Sequence, residues 1–534
     1  MKEKRKLKLK KFYFHPITMF FLTTILILIV SSILSNLGVQ ATYNVVNETT
    51  KELEPKLVSV ENLLTAKSIK SLLGNSLYTV ASFAQLSRLI IALAGISMLK
   101  ASGLIDTLTK RKIKKISKYK LTFIIVFLGV ISSLISDVGY VLLIPLTALI
   151  YELCGRNPLL GVITAFCGTA FGSGVSIFTS WCDVKLIPFT QLASYLIDTS
   201  THISLTSNLI FIIASSIIIS IVGTIVIEKI VSKSVGKYHF YDINGNTLKT
   251  TELVLKDIEE AEQNKIAIEK QEKKGLRNAL ITSILLILLF IYMLIPNLPL
   301  SGLLLDLTEK SYVNQLFGPT AYLHTSFTFL VSLFFIIVSL SYIIGAKSVK
   351  NDKELIEKAG DYLKNIGTLL ILIFVFSTFI MVWKKSNIGI VIASLLANLL
   401  SHLELTDIPL ILVTILLIAI SNVLLTSTTT KWQIFAPVVV PMFMQANISP
   451  QFAQVVMRVA DSMTKGVTPF LTSFVIYIGY LNIYNQNKQK PMTIHHSLKM
   501  VMPYFTIIGF IWILLVIIWY LVGIPIGPGV YPTI

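Results

Sequence analysis

Charge is scarce in this chain: Asp, Glu, Lys and Arg make up 14% of 534 residues against 54% hydrophobic residues, and mean hydropathy is +0.75. That balance excludes an ordinary soluble domain and points to a polytopic membrane protein. Cysteine is scarcer still. Cys154, Cys167 and Cys182 show neither paired-ligand spacing nor a companion histidine pattern, which argues against a zinc or redox centre and leaves them as small apolar residues. No HExxH, GxSxG or glycine-rich phosphate loop stands among the candidate sites, so no enzyme is indicated. The net charge of +18 does not mark a nucleic-acid partner. The basic residues fall in short blocks between apolar spans, as the positive-inside rule requires.

What is present is a succession of apolar runs. The first, 17–37, follows "MKEKRKLKLKK" and has transmembrane rather than signal-peptide length, although Val39-Gln40-Ala41 resembles a cleavage site. Read as a span with a cytoplasmic N-terminus, it puts the mixed-charge stretch 36–75 outside and "KRKIKKISKYK" (110–120) inside after a span near 76–99. Further spans are expected near 121–136, 207–228, 276–295, 323–345, 366–383, 387–401, 409–425 and 500–523. The hydrophilic stretch 229–277 and the Lys-rich stretch 347–364 read as solvated cytoplasmic segments. The uncharged ending "GIPIGPGVYPTI" fits an extracytoplasmic C-terminus of a multi-pass protein of the inner or plasma membrane.

Regions 136–198 and 421–483 give no clean spans, and they resemble each other. Ser136-Asp137-Val138 matches Ser421-Asn422-Val423, Pro145 matches Pro441, and Asn157-Pro158 matches Ser449-Pro450. The offset from the second proline to Gly174-Val175-Ser176 equals that to Gly466-Val467-Thr468. This is either chance in apolar sequence or an internal repeat, which in secondary transporters flanks the substrate site with broken helices. The chain then divides into N-terminal spans with a basic loop (1–135), a first repeat with a re-entrant hairpin (136–228) and a charged loop (229–276). Scaffold spans with the start of the second repeat (277–420), a second hairpin with a broken helix (421–483) and a final span with its tail (484–534) follow.

The polar stretch "TSTTTKW" (426–432) follows an apolar run and reads as a re-entrant hairpin tip, with hydroxyls replacing missing helical partners. Asn157-Pro158 and Ser449-Pro450 each place a capping side chain before a proline suited to the first helical turn. They begin either ordinary interfacial helices or helices whose free N–H groups favour an anion. Arg458 and Asp461, three residues apart, share a helical face. They form either a self-satisfied structural pair or one that also engages an anionic substrate or coupling ion. Trp432 is either a headgroup-level anchor or, beside Lys431, Thr429 and Thr430, a platform for a planar ligand. Asp137, Asp183 and Asn422 complete the intramembrane polar set, as caps or as ligands of a sodium site or proton relay. Arg88, in "ASFAQLSRLIIALAG", has no evident partner.

On these residues the sequence resembles the p-aminobenzoyl-glutamate transporter family. The match is carried by "SDVGYVLLIPLTALIYELCGRNPLLG" (136–161), "TTTKWQIFAPVVVPMF" (428–443), "SPQFAQVVMRVADSMTKGVTP" (449–469) and "IIWYLVGIPIGPG" (517–529), with weaker likeness over nearly the full length. The resemblance implies an all-α polytopic homodimer of about nine transmembrane helices plus two re-entrant helical hairpins per protomer. It further implies an internal inverted repeat and an elevator-type architecture related to dicarboxylate and nucleoside carriers. Carried over by position, functional roles fall on Asp183, Asn422, Trp432, Pro450, Arg458, Asp461 and Pro469. Pro158, Pro450 and Pro469 are the expected hinges. The family implies transport of aminobenzoyl-glutamate or export of sulfonamide antifolates, driven by the proton motive force, with a sodium ion near Asn422 and Asp461. Rival expectations are a dicarboxylate or other organic-anion carrier of the same architecture, a channel, or a membrane enzyme. The chain departs from the pattern at "GSGVSIFTSWCD", at Gln433 and at Arg88.

Overall fold

The computed structural model describes residues 14–135, 137–236, 238, 240–241, 247–248, 265–318, 320–487 and 489–534. The basic run at 1–13, Ser136 and much of the 229–276 loop lie outside the described residues. Apolar runs become helices here because, without water, each amide must find its partner inside its own segment. Among the described residues nine helices are long and apolar enough to cross a membrane: Pro16–Asn36, Ala84–Ala101, Lys118–Ile135, Leu209–Val235, Ile268–Tyr292, Tyr322–Ala346, Asp352–Lys385, Asp407–Leu424 and Ile494–Val522.

Three details differ from the sequence expectation. The span expected near 387–401 is the 14-residue helix Ile388–Ser401, about 21 Å long and short of a hydrocarbon core of roughly 30 Å. The span expected near 76–99 is interrupted: Ser76–Ala81 ends at Ser82, and Phe83 is extended before Ala84–Ala101 begins. The stretch 347–364 contains the helix Asp352–Leu363, capped by Asn351 with Asp352 and Glu354 in its first turn, where the helix dipole favours acids. Its Leu355 and Ala359 pack against Ala101.

The molecule is mostly helical rather than all-α. Gln40–Val46 pairs antiparallel with Leu53–Ser59 in register Gln40 to Ser59, inside a stretch read from sequence only as an external loop. Ala41 and Val60 pack with Ile388 and Val391. A shorter pair joins Phe240–Tyr241 to Thr247–Leu248.

The two broken regions have the same serial order of elements. In the first, Lys118–Ile135 is followed by Val138–Leu153, a turn holding Cys154, the helix Pro158–Phe171, a non-helical stretch over 172–180, and Trp181–Ser194. In the second, Asp407–Leu424 is followed by a break at 425–427, Thr428–Gln445, Pro450–Lys465, a non-helical stretch over 466–473, and Phe474–Ile483. Pro145 lies inside Val138–Leu153 and both Pro437 and Pro441 lie inside Thr428–Gln445; Pro145 and Pro437 each precede the next helix-starting proline by 13 residues.

Pro158–Phe171 is buried along its whole length, Cys167 included, and Pro450–Lys465 along nearly all of it. Such enclosure needs close backbone approach. A Cβ on Gly168 would lie 2.8 Å from the Val126 carbonyl oxygen, so Lys118–Ile135 crosses the first buried helix on glycine.

Candidate functional site

The buried helices begin with the expected caps. Asn157 Oδ1 accepts from Leu159 N at 3.0 Å and Ser449 Oγ accepts from Phe452 N at 3.3 Å, with Pro158 and Pro450 at the first helical positions. Neither start lies in the polar cavity described below. Asn157 Nδ2 donates to Gly236 O at 3.2 Å, and Ser449 Oγ donates to Tyr531 O at 2.7 Å while its amide donates to Pro532 O. The hydroxyl row at 426–430 also caps a helix: Ser427 Oγ accepts from Thr430 N at 3.3 Å and starts Thr428–Gln445.

The other ends of these helices, where the breaks lie, come together. Ser133 Oγ donates to Val175 O at 2.6 Å, Thr468 Oγ to Val423 O at 2.6 Å, and Gln85 Nε2 to Thr472 Oγ1 at 3.0 Å. Gly174 lets the two regions cross, since a Cβ there would lie 2.7 Å from the Arg458 carbonyl oxygen.

Around this crossing the buried charges pair, but not as the sequence spacing predicts. Arg458 and Asp461 are not partners of each other. The Arg458 guanidinium forms an ion pair with Asp183 from the other broken region and donates through Nε to Gly174 O at 2.7 Å. Asp183 uses its second oxygen to cap its own helix, accepting from Ser180 N at 2.8 Å and Ser180 Oγ at 3.0 Å. Asp461 pairs instead with Lys431, accepts from Thr428 Oγ1 at 2.8 Å, and has Lys465 Nζ at 3.7 Å. Asn422 Nδ2 donates to the Asp461 carbonyl at 2.7 Å and to Thr464 Oγ1 at 2.9 Å, while its Oδ1 accepts from Lys431. Asp183, Asn422, Lys431, Arg458 and Asp461 are buried, where an ion left without its partner is costly, while Thr428 and Lys465 are partly exposed.

That geometry bears on the expected sodium ion. The side-chain oxygens it needs, Asn422 Oδ1 and Asp461 Oδ1, both accept from the Lys431 ammonium. The donor set therefore fits a tethered cation, and a metal would have to displace it. Among the described residues no group of three or more His, Cys, Asp or Glu is arranged to hold a metal.

Trp432 is fully buried and does not line the cavity described below. Its indole Nε1 donates to Thr190 Oγ1 at 2.8 Å, and the Thr190 hydroxyl lies 3.0 Å from Gln454 Oε1, tying Trp181–Ser194 to Thr428–Gln445 and Pro450–Lys465 of the second region.

Beside the crossing lies a polar cavity of about 160 Å³, walled by Asp137, Thr428, Thr429, Asp461 and Lys465 on one side and by Trp181, Cys182 and Lys185 on another. Asp137 and Lys465 also face a second cavity of about 510 Å³, which Ser427, Thr430, Trp383 and Thr472 help to line. Asp137 Oδ2 lies 3.4 Å from Gln85 Nε2. Pro469 sits in the non-helical stretch 466–473. Arg88 is partly exposed and makes no ion pair or side-chain hydrogen bond among the described residues.

Sequence reasoning missed Trp181, Lys185, Lys465, Gln85 and Thr190. Lys465 was legible, being four residues beyond Asp461 on the same helical face. Lys185, two residues past Asp183, carried no comparable signal.

Residues 11–534 match the sequence model of the AbgT putative transporter family. The chain is 27% identical over 520 residues to the p-aminobenzoyl-glutamate transport protein of Escherichia coli strain K12, covering 97% of this chain and 94% of that protein. It is similar to two solved structures. One is MtrF of Neisseria gonorrhoeae, described with a class of antimetabolite efflux pumps, at 28% identity, 97% of this chain, 98% of that chain and a TM-score of 0.48. The other is the YdaH transporter of Alcanivorax borkumensis, at 24% identity, 96% and 100% coverage and a TM-score of 0.46.

Proposed function

The chain belongs to the AbgT putative transporter family, and from that premise we propose that it is an ion-coupled secondary carrier of anionic aromatic conjugates of the p-aminobenzoyl-glutamate type. It works in the cell membrane as a homodimer with a cytoplasmic N-terminus. The observation that carries the reading is the meeting of four helix interruptions, at Asp137, 172–180, 425–427 and 466–473, at a set of buried charges beside a polar cavity. Non-helical backbone survives at membrane depth only inside protein or along a wet cavity, and secondary carriers use that place for their substrates. In this reading the two broken regions are an inverted repeat with re-entrant hairpins, and they move together as an elevator against the remaining spans, with Pro158, Pro450 and Pro469 as hinges.

The buried ion pairs give a coupling principle. Asp183 holds the Arg458 guanidinium, so a substrate carboxylate and Asp183 compete for one cation. A proton arriving on Asp183 neutralises that competitor and frees Arg458 for the anion, which links proton entry to substrate entry. Asp461 stands in the same relation to Lys431, with Asn422 and Asp137 alongside. Thr429 and Thr430 supply hydroxyls at the cavities, and Trp432 positions the helices that carry the charges. A cavity of about 160 Å³ is below the roughly 300 Å³ at which ligand sites begin, so loading requires the broken segments to part.

Proteoliposome uptake of p-aminobenzoyl-glutamate, with proton and sodium gradients imposed separately, tests this. The expected result is saturable uptake driven by the proton gradient, absent in Arg458→Ala of unchanged oligomeric state. Uptake driven by sodium alone would overturn the coupling, and unchanged uptake in Arg458→Ala would overturn the site. Sulfonamides and dicarboxylates in the same assay test export of antimetabolites and the broader organic-anion reading.

A further inference from the structure

Around the small cavity nearly every charge is committed. Arg458 is taken by Asp183, and Lys431 and Lys465 both attend Asp461. Among the cations the exception is Lys185; Asp137, the other charge there without an ion pair among the described residues, keeps Gln85 Nε2 at 3.4 Å. Among the described residues the Lys185 ammonium has no carboxylate partner and no side-chain hydrogen bond; it stands over the Trp181 ring, 3.9 Å from the centroid. Trp181 and Lys185 are four residues apart on the helix Trp181–Ser194, hence on one face, and both line the cavity. The Trp181 ring is itself held in plane: it stacks on the His324 ring with centroids 4.2 Å apart and 25° between planes. His324 belongs to Tyr322–Ala346, outside the two broken regions.

We propose that Trp181 and Lys185 form the recognition ledge of the carrier, with Lys185 taking the carboxylate or other anionic group of the substrate and the fixed Trp181 ring taking its aryl plane. A partly exposed ammonium parked on an indole is a reserve cation. It gives up only a cation–π contact when an anion arrives, whereas Arg458 and Lys431 must first lose a buried carboxylate. The ledge therefore makes first contact, before any cross-region pair opens. Its chemistry selects ligands that are both aromatic and anionic. This inference rests on the carrier reading above but is separable from it.

The test uses the purified full-length protein. Binding of p-aminobenzoate and of its neutral amide is followed by tryptophan fluorescence in detergent. The difference between the parent and Trp181→Phe isolates the Trp181 signal, and transport of p-aminobenzoyl-glutamate is measured in parallel. Lys185→Gln is expected to weaken binding of the anion about tenfold, as loss of a charged hydrogen bond does, while binding of the amide changes little. Lys185→Arg restores most of the loss, and Trp181→Ala weakens both ligands. In transport the same substitution raises KM with kcat largely kept. Equal effects of Lys185→Gln on anion and amide, or a Trp181 signal unmoved by saturating ligand, would overturn the ledge. If the ledge binds as expected but no substrate crosses the vesicle membrane, the carrier reading fails and the ledge stands. Should Lys185→Gln fold poorly, Lys185→Met of unaltered thermal midpoint carries the same comparison, and equal effects on anion and amide again overturn the ledge.

Discussion

In the first broken region the buried helix Pro158–Phe171 carries no charged residue, whereas the helix in the same serial position of the second, Pro450–Lys465, carries Arg458, Asp461 and Lys465. Both start with a capping side chain and a proline, and both end in a non-helical stretch at the same crossing. The shared part is the backbone device and the unshared part is the charge. Around the crossing the second region has an excess of cations and the first, through Asp137 and Asp183, an excess of carboxylates. Each therefore completes the other, and one of the site's two buried ion pairs runs between regions.

The sharpest way to break that comparison is at Arg458 and Asp183. Either Arg458→Gln or Asp183→Asn alone leaves a buried ion unpaired and is expected to cost about 3–5 kcal/mol. The double substitution should recover a large part of the loss in thermal unfolding of the detergent-purified protein. Simple additivity of the two would mean that the cross-region pair does not join the halves. A smaller effect, about 2–3 kcal/mol, is expected for Lys431→Met, because Asp461 keeps Thr428 and Lys465. The same variant vacates Asn422 Oδ1 and Asp461 Oδ1, so a rise in thermal midpoint with added sodium, absent from the parent, is the expected sign of a latent metal site. No sodium response would leave the ammonium as the sole occupant those oxygens suit. The smallest effects concern what the regions share. Asn157→Ala and Ser449→Ala should each cost about 1 kcal/mol. Each also loses a second bond, Asn157 Nδ2 to Gly236 O and Ser449 Oγ to Tyr531 O, and Ser449→Ala should cost the more because Ser449 is buried and Asn157 is not. A neutral Ser449→Ala would show that the tail holds that helix end without the cap.

Much of this was legible in the chain because membrane burial restricts what a residue can do. Apolar runs named the spans, Asn157-Pro158 and Ser449-Pro450 named the helix starts, and charges inside apolar sequence named side chains that meet at the crossing. Pairing was not legible. Spacing put Arg458 on the same face as Asp461, but a helix face says nothing of which neighbour crosses it, and Asp183 arrives from 275 residues away. Trp432 shows the same limit: an indole beside a lysine and hydroxyls reads as an open platform until Thr190 is seen to hold its N–H. The hairpin of Gln40–Val46 and Leu53–Ser59 escaped because six loop residues and mixed charge hide its alternation.

The three thiols were passed over as filler, yet the fold stations them at three depths: Cys154 at a turn, Cys167 inside a helix closed on all sides, and Cys182 on the wall of the small cavity. The unmodified chain thus brings its own accessibility gauge. A water-soluble maleimide should tag Cys182 at a rate set by how often the wall parts, with the partly exposed Cys154 at its turn as the reference and Cys167 as the silent one, so the transport cycle can be timed without engineering a single label.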